Sequence, residues 1–290
     1  MRYAAVISYF GEKYVGWQRQ LNGLSVQEAL EKAMSKALGS EISVTASGRT
    51  DAGVHALAQV VHFDADTSVP VEKIPFAVNA YLPSDISMLS CEPAPDGFNA
   101  RFNAKRKTYC YRLYLSRHRQ PMLESTREHI VVPLDLSAMR ACADVIEGEH
   151  DFKCFEATGS VIKNTVRTVY EVRIDVAPLC QTSGVFGKND GVKNGDADGH
   201  THGNGEKINC GYSEKIPDGY IYDCTVDISV TGNGFLYNMV RIIAGTLVYA
   251  GIGKLGADDV KRALDTGDRT LAGKTLPAKG LCLMQVEYKS

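Results

Sequence analysis

Two neighbouring segments near the start of the chain set the pattern of the fold: RYAAVISYF at residues 2–10 and SVQEALEKAMSKAL at residues 25–38. The first segment is rich in aromatic and β-branched residues, which favours a strand. The second has apolar residues every three to four positions, which predicts an amphipathic helix. Ser25 and Glu28 form the capping-box pattern at its start, and Gly39 follows its end. The chain therefore begins with a strand followed by a helix.

The same alternation continues through both halves of the chain. In the first half we predict strands at 42–46, 57–63 and 86–92 and a helix at 72–81. In the second half we predict strands at 108–115, 168–176, 220–230 and 281–288, and helices at 136–147, 235–252 and 257–264. Each half thus has the order β-α-β-β-α-β, with one extra short helix in the second. We predict an α+β fold of two tandem ferredoxin-like units, an N-terminal half over residues 1–104 and a C-terminal half over residues 105–290.

One long polar stretch interrupts the second half. Residues 180–219 are dominated by Gly, Asn, Asp, Lys and Ser, so they contain too little apolar surface to offset the entropy of ordering. Residues 194–199 resemble the start of an EF-hand loop, but Gly205 stands where a bidentate Glu is required. His200 and His202 fit no zinc-ligand spacing. We therefore predict a flexible insertion without a metal site.

The overall composition is that of a soluble globular protein. The 290 residues are 44% hydrophobic, and 32 Lys and Arg against 34 Asp and Glu give a formal net charge of −2. These values exclude a wholly disordered chain, a collagen-like fibre and a membrane bundle. The eight cysteines form no C-x-x-C pair, which indicates reduced thiols rather than a disulfide framework. Without a signal-peptide pattern or a membrane span, we expect a cytoplasmic protein with no membrane association.

The loop ASGRTDAGVHA at residues 46–56 is the first candidate for chemistry. It brings Arg49, Asp51 and His55 together between two predicted strands. Loops held by rigid strands are where functional side chains tend to lie. The same composition equally fits a turn in which Asp51 makes a local hydrogen bond.

Arg241 is the second candidate, because it lies in a predicted helix that is otherwise apolar on nearly all sides. A buried guanidinium is costly unless it is paired with a carboxylate or a phosphate. One interpretation is that Arg241 keeps a functional Asp ionised by lowering its pKa. The alternative is a position on a narrow solvent-facing stripe, or a pair with a structural acid.

The basic residues of the chain are concentrated in one segment, which the near-neutral net charge conceals. Between residues 97 and 119 there are seven basic residues and no acidic one. They are Arg101, Lys105, Arg106, Lys107, Arg112, Arg117 and Arg119, and Phe98, Phe102, Tyr109, Tyr111 and Tyr114 alternate with them. Such a segment is typical of a surface that binds phosphates and stacks on exposed bases, although part of it also fits a solvated strand edge. We therefore predict contact with a polyanion.

A second polar and basic loop, KYVGWQRQ at residues 13–20, contains the single Trp of the chain. We predict that Trp17 anchors this loop in the core, and that Gln18 and Arg19 contact RNA.

These motifs together are similar to those of a known family. The loop GRTDAGVH at residues 48–55 resembles the signature loop of the TruA-type tRNA pseudouridine synthases. Further similar segments follow in family order: YVGWQRQ at 14–20, FNARF at 98–102, RKTYCY at 106–111, FLYNMVR at 235–241 and GL at 280–281. Only residues 180–219 lie outside the resemblance, because the family has a tight hairpin there. Asn238 stands where the family often has His.

The resemblance implies a role for each matched residue. Asp51 would be the nucleophile that attacks the target uridine, and Arg241 would be its ionic partner. Tyr109 would pack against the base and assist proton removal from C5, and Leu281 would pack beneath the base. Arg49 would help to extrude the nucleotide from the stem. Substrate contacts are also expected from Gln18, Arg19, Arg101, Arg106 and Lys107.

The resemblance also implies a substrate and an assembly. The family modifies uridines at positions 38 to 40 in the anticodon stem-loop of tRNA, acts as a homodimer, and needs neither a metal nor an organic cofactor. A non-catalytic RNA-binding module of the same architecture is the first alternative. An Asp-nucleophile hydrolase is the second, although the carboxylate cluster that would hold its metal is missing from the sequence.

Overall fold

The computed structural model describes residues 1–159, 163–179 and 219–288. The α-helices are α1 (Val26–Leu38), α2 (Ile74–Asn79), α3 (Leu136–Ile146), α4 (Met239–Gly251) and α5 (Ala257–Thr266). The strands are β1 (Arg2–Tyr9), β2 (Thr45–Ala46), β3 (His55–Asp64), β4 (Ile86–Pro93), β5 (Arg106–Leu115), β6 (Glu128–Ile130), β7 (Leu134–Asp135), β8 (Gly148–Asp151), β9 (Val166–Pro178), β10 (Tyr220–Ile221), β11 (Cys224–Gly232) and β12 (Leu281–Glu287).

One mixed sheet runs through both halves of the described chain. Its strands follow the order β4-β1-β3-β12-β5-β11-β9-β8, with β2 on β3 and β6 on β5, while β7 and β10 pair separately. Strand β12 joins the halves, because it is parallel to β3 on one side and antiparallel to β5 on the other. A single hydrophobic core contains residues of both halves. The predicted α+β class is confirmed.

The first helix forms where its sequence pattern predicts it. Val26, Leu30 and Met34 are buried on one face. The Ser25 hydroxyl accepts a hydrogen bond from the Glu28 N–H at 3.2 Å, and Gly39 ends the helix at φ 75°. Start, face and end were therefore all encoded locally.

The predicted strand over residues 42–46 is only two residues long, because helix α1 takes its hydrogen bonds. The Ile42 N–H bonds to the Ser35 hydroxyl at 2.9 Å, and the Val44 N–H bonds to the Glu31 carboxylate at 3.0 Å. Only Thr45–Ala46 pairs with β3.

The predicted helix over residues 235–252 begins four residues late, at Met239. Asn238 has φ 60°, a left-handed conformation that interrupts a right-handed helix. The Tyr237 carbonyl accepts a bond from the Ala157 N–H at 3.1 Å instead of starting the helix. Arg241 consequently lies in the first turn of α4 and not in its middle.

The remaining predictions differ from the structure at their ends. The predicted strand 220–230 is divided into β10 and β11 around Asp223, which has φ 47°. The predicted insertion at 180–219, with its possible metal ligands, lies outside the described residues except for Gly219. Among the helices of the described ranges, none has the length and hydropathy that crossing a bilayer requires.

Helix α4 makes an unusually close approach to the segment before β12. A Cβ on Gly245 would lie 1.9 Å from the Lys274 carbonyl oxygen, and one on Gly273 would lie 2.4 Å from the Gly245 backbone. The Thr246 hydroxyl accepts a bond from the Gly273 N–H at 2.8 Å across this contact. The two glycines therefore set the distance between α4 and residues 273–276.

We expect Gly245→Ala to lower the free energy of unfolding by about 2 kcal/mol, because backbone must move to admit the methyl group. The midpoint of urea unfolding measures this change. Gly256→Ala is the matched control, since a Cβ there meets nothing within 4 Å. Equal midpoints for the two variants would show that the close approach is not required.

Candidate active site

Buried polar contacts fix the position of the loop between β2 and β3. The Thr50 hydroxyl lies 2.8 Å from the Tyr9 hydroxyl, and the Thr50 carbonyl accepts a bond from the Trp17 N–H at 3.0 Å. A Cβ on Gly16 would lie 2.8 Å from that same carbonyl, at φ 109°. Trp17 is buried, which confirms its prediction as an anchor. Thr50 is thus fixed, and the next residue is Asp51.

Asp51 faces Arg241 across the site. Its Oδ2 lies 3.9 Å from Arg241 Nη1, and the two side chains are 32% and 16% exposed. The sequence places these residues far apart, in a loop of the first half and a helix of the second. The structure brings them together, as one of the two interpretations of Arg241 predicted.

Arg241 is held by neutral acceptors as well as by this ion pair. Its Nε donates to the Leu276 carbonyl at 2.7 Å, and its Nη1 donates to Asn238 Oδ1 at 2.6 Å. Leu276 belongs to the segment that packs closely on α4. The guanidinium is therefore oriented by groups that the sequence pattern did not single out.

The pKa of Asp51 is raised above its ordinary value, contrary to the expectation of a lowered one. Burial raises this pKa, and the positive charge of Arg241 opposes the rise without cancelling it. The sequence indicates Arg241 as the cation that pairs with an Asp, but it does not show that burial desolvates the Asp51 carboxylate.

Tyr109 and Leu281 lie on the adjacent strands β5 and β12. Tyr109 on β5 is buried, and its ring meets Phe235 edge-on at 5.3 Å between centroids. Burial raises the pKa of Tyr109, with a smaller contribution from the nearby Asp51 carboxylate. Leu281 is buried at the start of β12, where it is paired with Tyr111. The phenol of Tyr109 is therefore protonated at neutral pH.

His55 closes the loop as a structural residue. Its Nδ1 accepts a bond from the Gly11 N–H at 3.0 Å, so its Nε2 carries the hydrogen and donates to the Lys279 carbonyl at 3.1 Å. The ring stacks on Phe10 at 4.4 Å. Burial lowers the pKa of His55, so the imidazole is neutral at pH 7. This side chain ties the loop to the turn that precedes β12.

Comparison with known proteins connects this geometry to a family. A model of the tRNA pseudouridine synthase family matches residues 5–103 and 142–289. The chain is 39% identical over 282 residues to the tRNA pseudouridine synthase A of Ruminiclostridium cellulolyticum, covering 97% of both chains. It is 38% identical over 290 residues to the protein of the same name in Bacillus subtilis, covering 99% of both. The chain belongs to the tRNA pseudouridine synthase family.

The family match contains some of the predicted site residues and leaves others out. Arg49, Asp51, Arg241 and Leu281 lie within the two matched segments. Tyr109 lies between them, in the span that contains most of the basic run. The alignment with the Bacillus subtilis relative covers nearly the whole chain, this span included.

Five of the predicted RNA contacts of this pseudouridine synthase family member are exposed. Arg49 and Gln18 are exposed, and Arg19 is exposed and lies 3.7 Å from the Glu31 carboxylate. Arg101 and Arg106 are exposed and lie over the rings of Phe102 and Tyr170, at 5.8 and 4.5 Å. These side chains present cations to the solvent, and the rings of Phe102 and Tyr170 beside them are exposed as well.

Lys107 differs from the other predicted RNA contacts, because it has an internal partner. Its ammonium donates to the Ser47 carbonyl at 2.6 Å, at the start of the Asp51 loop. Burial lowers the pKa of Lys107 to about 8. Lys107 therefore stabilises the loop that contains Asp51 through this hydrogen bond.

No group of three or more His, Cys, Asp or Glu in the described ranges has the geometry of a metal site. Cys91, Cys110, Cys142, Cys154 and Cys282 are thiols. Burial raises the pKa of the Cys282 thiol to about 11.

The lowered pKa of Lys107 predicts a pH-dependent contribution to stability. Between about pH 8 and pH 10.5 the unfolded chain holds a proton on Lys107 that the folded protein has released. Unfolding free energy therefore rises with pH in this window, and Lys107→Met lacks the rise. We expect the wild type to gain about 2 kcal/mol over the variant between pH 7.5 and 9.5, measured by urea unfolding.

Lys32→Met is the control, since its ammonium is exposed on α1. A stability difference between the wild type and Lys107→Met that stays constant with pH would contradict the burial of this ammonium.

Proposed function

We propose that this protein isomerises uridine to pseudouridine in the anticodon stem-loop of tRNA, at one or more of positions 38 to 40, with Asp51 as the nucleophile. The observation that carries the proposal is the half-buried Asp51 carboxylate, 3.9 Å from the Arg241 guanidinium in the first turn of α4. The family membership supports the same reaction.

Asp51 is suited to nucleophilic attack by the balance of two effects. Partial burial removes water from the carboxylate and so makes it more reactive, while Arg241 keeps it ionised. Attack forms a covalent bond to the nucleotide and releases the base from its C1′–N1 bond. The base then rotates and rejoins the sugar through C5, and the bond to Asp51 breaks so that the carboxylate is released. C5 loses its proton and N1 takes one up, which restores the ring. Substrate and product are isomers, so no co-reactant is consumed.

The neighbouring side chains provide a place for the flipped base. Tyr109 on β5 interacts electrostatically with Asp51, and Leu281 presents buried apolar surface on the neighbouring strand β12. The raised pKa of Tyr109 keeps its hydroxyl protonated in the free protein, so proton removal from C5 requires the phenol to pass its own proton onward. Arg49 is exposed and stands two residues before Asp51 in the sequence. We expect its side chain to occupy the space that the flipped nucleotide vacates.

The substrate would bind along the basic run that contains Arg101 and Arg106. Both cations are exposed, and neither has an acidic partner among the described residues. Gln18 and Arg19, in the loop that Trp17 anchors, are exposed and would provide further contacts. We further propose that the protein acts in the cytoplasm as a homodimer without a cofactor, as the family resemblance implies.

Strand order supports the proposed division into two ferredoxin-like units. Within residues 1–104 the order is β4-β1-β3-β2. Within residues 105–290 it is β12-β5-β11-β9-β8, of which the first four strands correspond to the motif and β8 is an addition at the edge. In both halves the first strand lies between the fourth and the third, which is the order of that motif.

Replacement of the nucleophile tests the reaction. We expect Asp51→Asn to reduce pseudouridine formation in a tRNA transcript by more than about a thousandfold, while tRNA binding remains. The folded-state pKa of Asp51 is raised, so the stability that its protonated form provides is lost as pH rises through that value. The neutral amide avoids this loss, so the variant should unfold at higher urea concentration than the wild type at pH 7.

Asp66→Asn removes an exposed carboxylate on the loop after β3 and is the control for both measurements. Turnover by Asp51→Asn within tenfold of the wild type would eliminate Asp51 as the nucleophile. Binding of tRNA by the wild type without any turnover would favour the non-catalytic RNA-binding module.

The salt dependence of binding tests the basic surface. Each phosphate contact contributes about 0.7 to 0.9 to the slope of log K against log salt concentration. We expect the double variant Arg101→Gln/Arg106→Gln to reduce this slope by about 1.5, with unchanged unfolding.

Arg140→Gln/Arg262→Gln changes the net charge equally with exposed residues of α3 and α5, and is the control. Equal slopes for the two double variants would place the tRNA elsewhere.

A further inference from the structure

Asn238 has a left-handed backbone conformation, which is uncommon for a residue other than glycine. Its φ of 60° is one of two positive values at non-glycine positions among the described residues. Left-handed backbone costs free energy for residues other than Gly, and Asn, Asp and His tolerate it best. Strain of this kind persists where the surrounding structure requires it, and it is common at functional sites.

The side chain of Asn238 is not used to cap the helix that it precedes. An Asn at this position ordinarily has an extended backbone, and its oxygen accepts bonds from the first N–H groups of the helix. Here the side chain makes no such cap. Its Oδ1 instead accepts the Arg241 Nη1 hydrogen at 2.6 Å, one turn into α4.

Two contacts fix the plane of the Arg241 guanidinium before any substrate is present. Asn238 holds Nη1, and the Leu276 carbonyl holds Nε at 2.7 Å. The distance from Nη1 to Asp51 Oδ2 is 3.9 Å, which is too long for a hydrogen bond. The orientation of Arg241 toward Asp51 therefore depends on these two anchors.

We propose that Asn238 is a positioning residue, whose amide oxygen holds the Arg241 guanidinium where it stabilises the Asp51 carboxylate for attack. This inference rests on the proposed role of Asp51 as nucleophile. The left-handed backbone at residue 238 directs the amide toward Arg241, which explains why the helix starts with a residue in this conformation.

Because the Asn238 amide is neutral, it does not compete with Asp51 for the positive charge of Arg241. An Asp at position 238 would tolerate the same backbone and accept the same hydrogen bond. Its charge would however pair with Arg241 and reduce the stabilisation of the Asp51 carboxylate. Asn provides the acceptor and leaves the positive charge available to Asp51.

Asp51 is the group whose titration reports the orientation of Arg241. Tyr109 on β5 interacts with Asp51, and Tyr9 on β1 and Cys282 on β12 interact with Tyr109 in turn; burial raises the pKa of all three. They are therefore neutral between pH 5 and 8. His55 lies on the same loop, but it bonds to Gly11 and to the Lys279 carbonyl and is present in every variant.

The test uses Asn238→Gly, which keeps the left-handed backbone without strain and removes only the amide. We expect kcat for pseudouridine formation to fall about 10- to 100-fold, because misplaced catalytic groups cost that much, while KM changes less than about threefold. The acidic limb of the kcat profile should move to higher pH. Asn238→Asp should move it in the same direction although its hydrogen bond is kept.

A double variant separates positioning from a general structural effect. Asn238→Gly/Arg241→Gln should be no slower than Arg241→Gln alone, since the amide acts through Arg241. Thermal unfolding of Asn238→Gly should match that of the wild type. A wild-type kcat and pH profile in Asn238→Gly, or a loss that adds to that of Arg241→Gln, would overturn the proposal.

A measurement that needs no turnover distinguishes this proposal from the function on which it rests. An inactive wild type would refute the reaction itself. In that event ¹⁵N relaxation of the Arg241 Nε–H group still decides the positioning role. We expect its order parameter to fall in Asn238→Gly, and an unchanged order parameter would refute the role of the amide.

Discussion

The attraction between the Arg241 guanidinium and the half-buried Asp51 carboxylate is the interaction on which the site depends. Burial makes the ionised carboxylate less stable, and Arg241 is the positive charge that offsets this effect. Neither effect alone gives a useful nucleophile, because a solvated carboxylate is unreactive and an unpaired buried one takes up a proton. The rest of the structure can be understood as the support for this balance. The loop that contains Thr50 holds the carboxylate in place, and Asn238 and the Leu276 carbonyl orient the cation.

The parts of the fold that depend on local signals could be predicted from the sequence. Helix α1 has its cap, its apolar face and its terminal glycine within fifteen residues, and all three were correct. The residues after it were predicted as a longer strand because the pattern is apolar. Their N–H groups bond instead to Glu31 and Ser35, side chains that the periodicity of the sequence treats as solvent-facing. Which group accepts a backbone hydrogen bond depends on the tertiary structure, so the sequence pattern cannot predict that this strand is short.

The candidate site was predictable in its charges but not in its energetics. An Arg in an apolar helix and an Asp in a glycine-containing loop are visible in the sequence, and the structure brings them together. The direction of the Asp51 pKa shift was wrong, because desolvation depends on depth below the surface and no sequence pattern reports it. The same limit applies to Lys107. Its charge was counted as part of a phosphate-binding run, whereas its ammonium lies against the Ser47 carbonyl under the loop.

The parts of the candidate site are synthesised at different times, because the segment around β12 that completes it comes last. Asp51 is synthesised early, yet the turn that receives His55 and the carbonyl that orients Arg241 lie at residues 279 and 276. The same late segment then inserts between β3 and β5 to complete the sheet. A nascent chain on the ribosome therefore carries Asp51 through most of its elongation without a partner or a finished pocket. The complete arrangement of Asp51, an oriented Arg241 and a closed sheet can therefore form only after translation has passed β12.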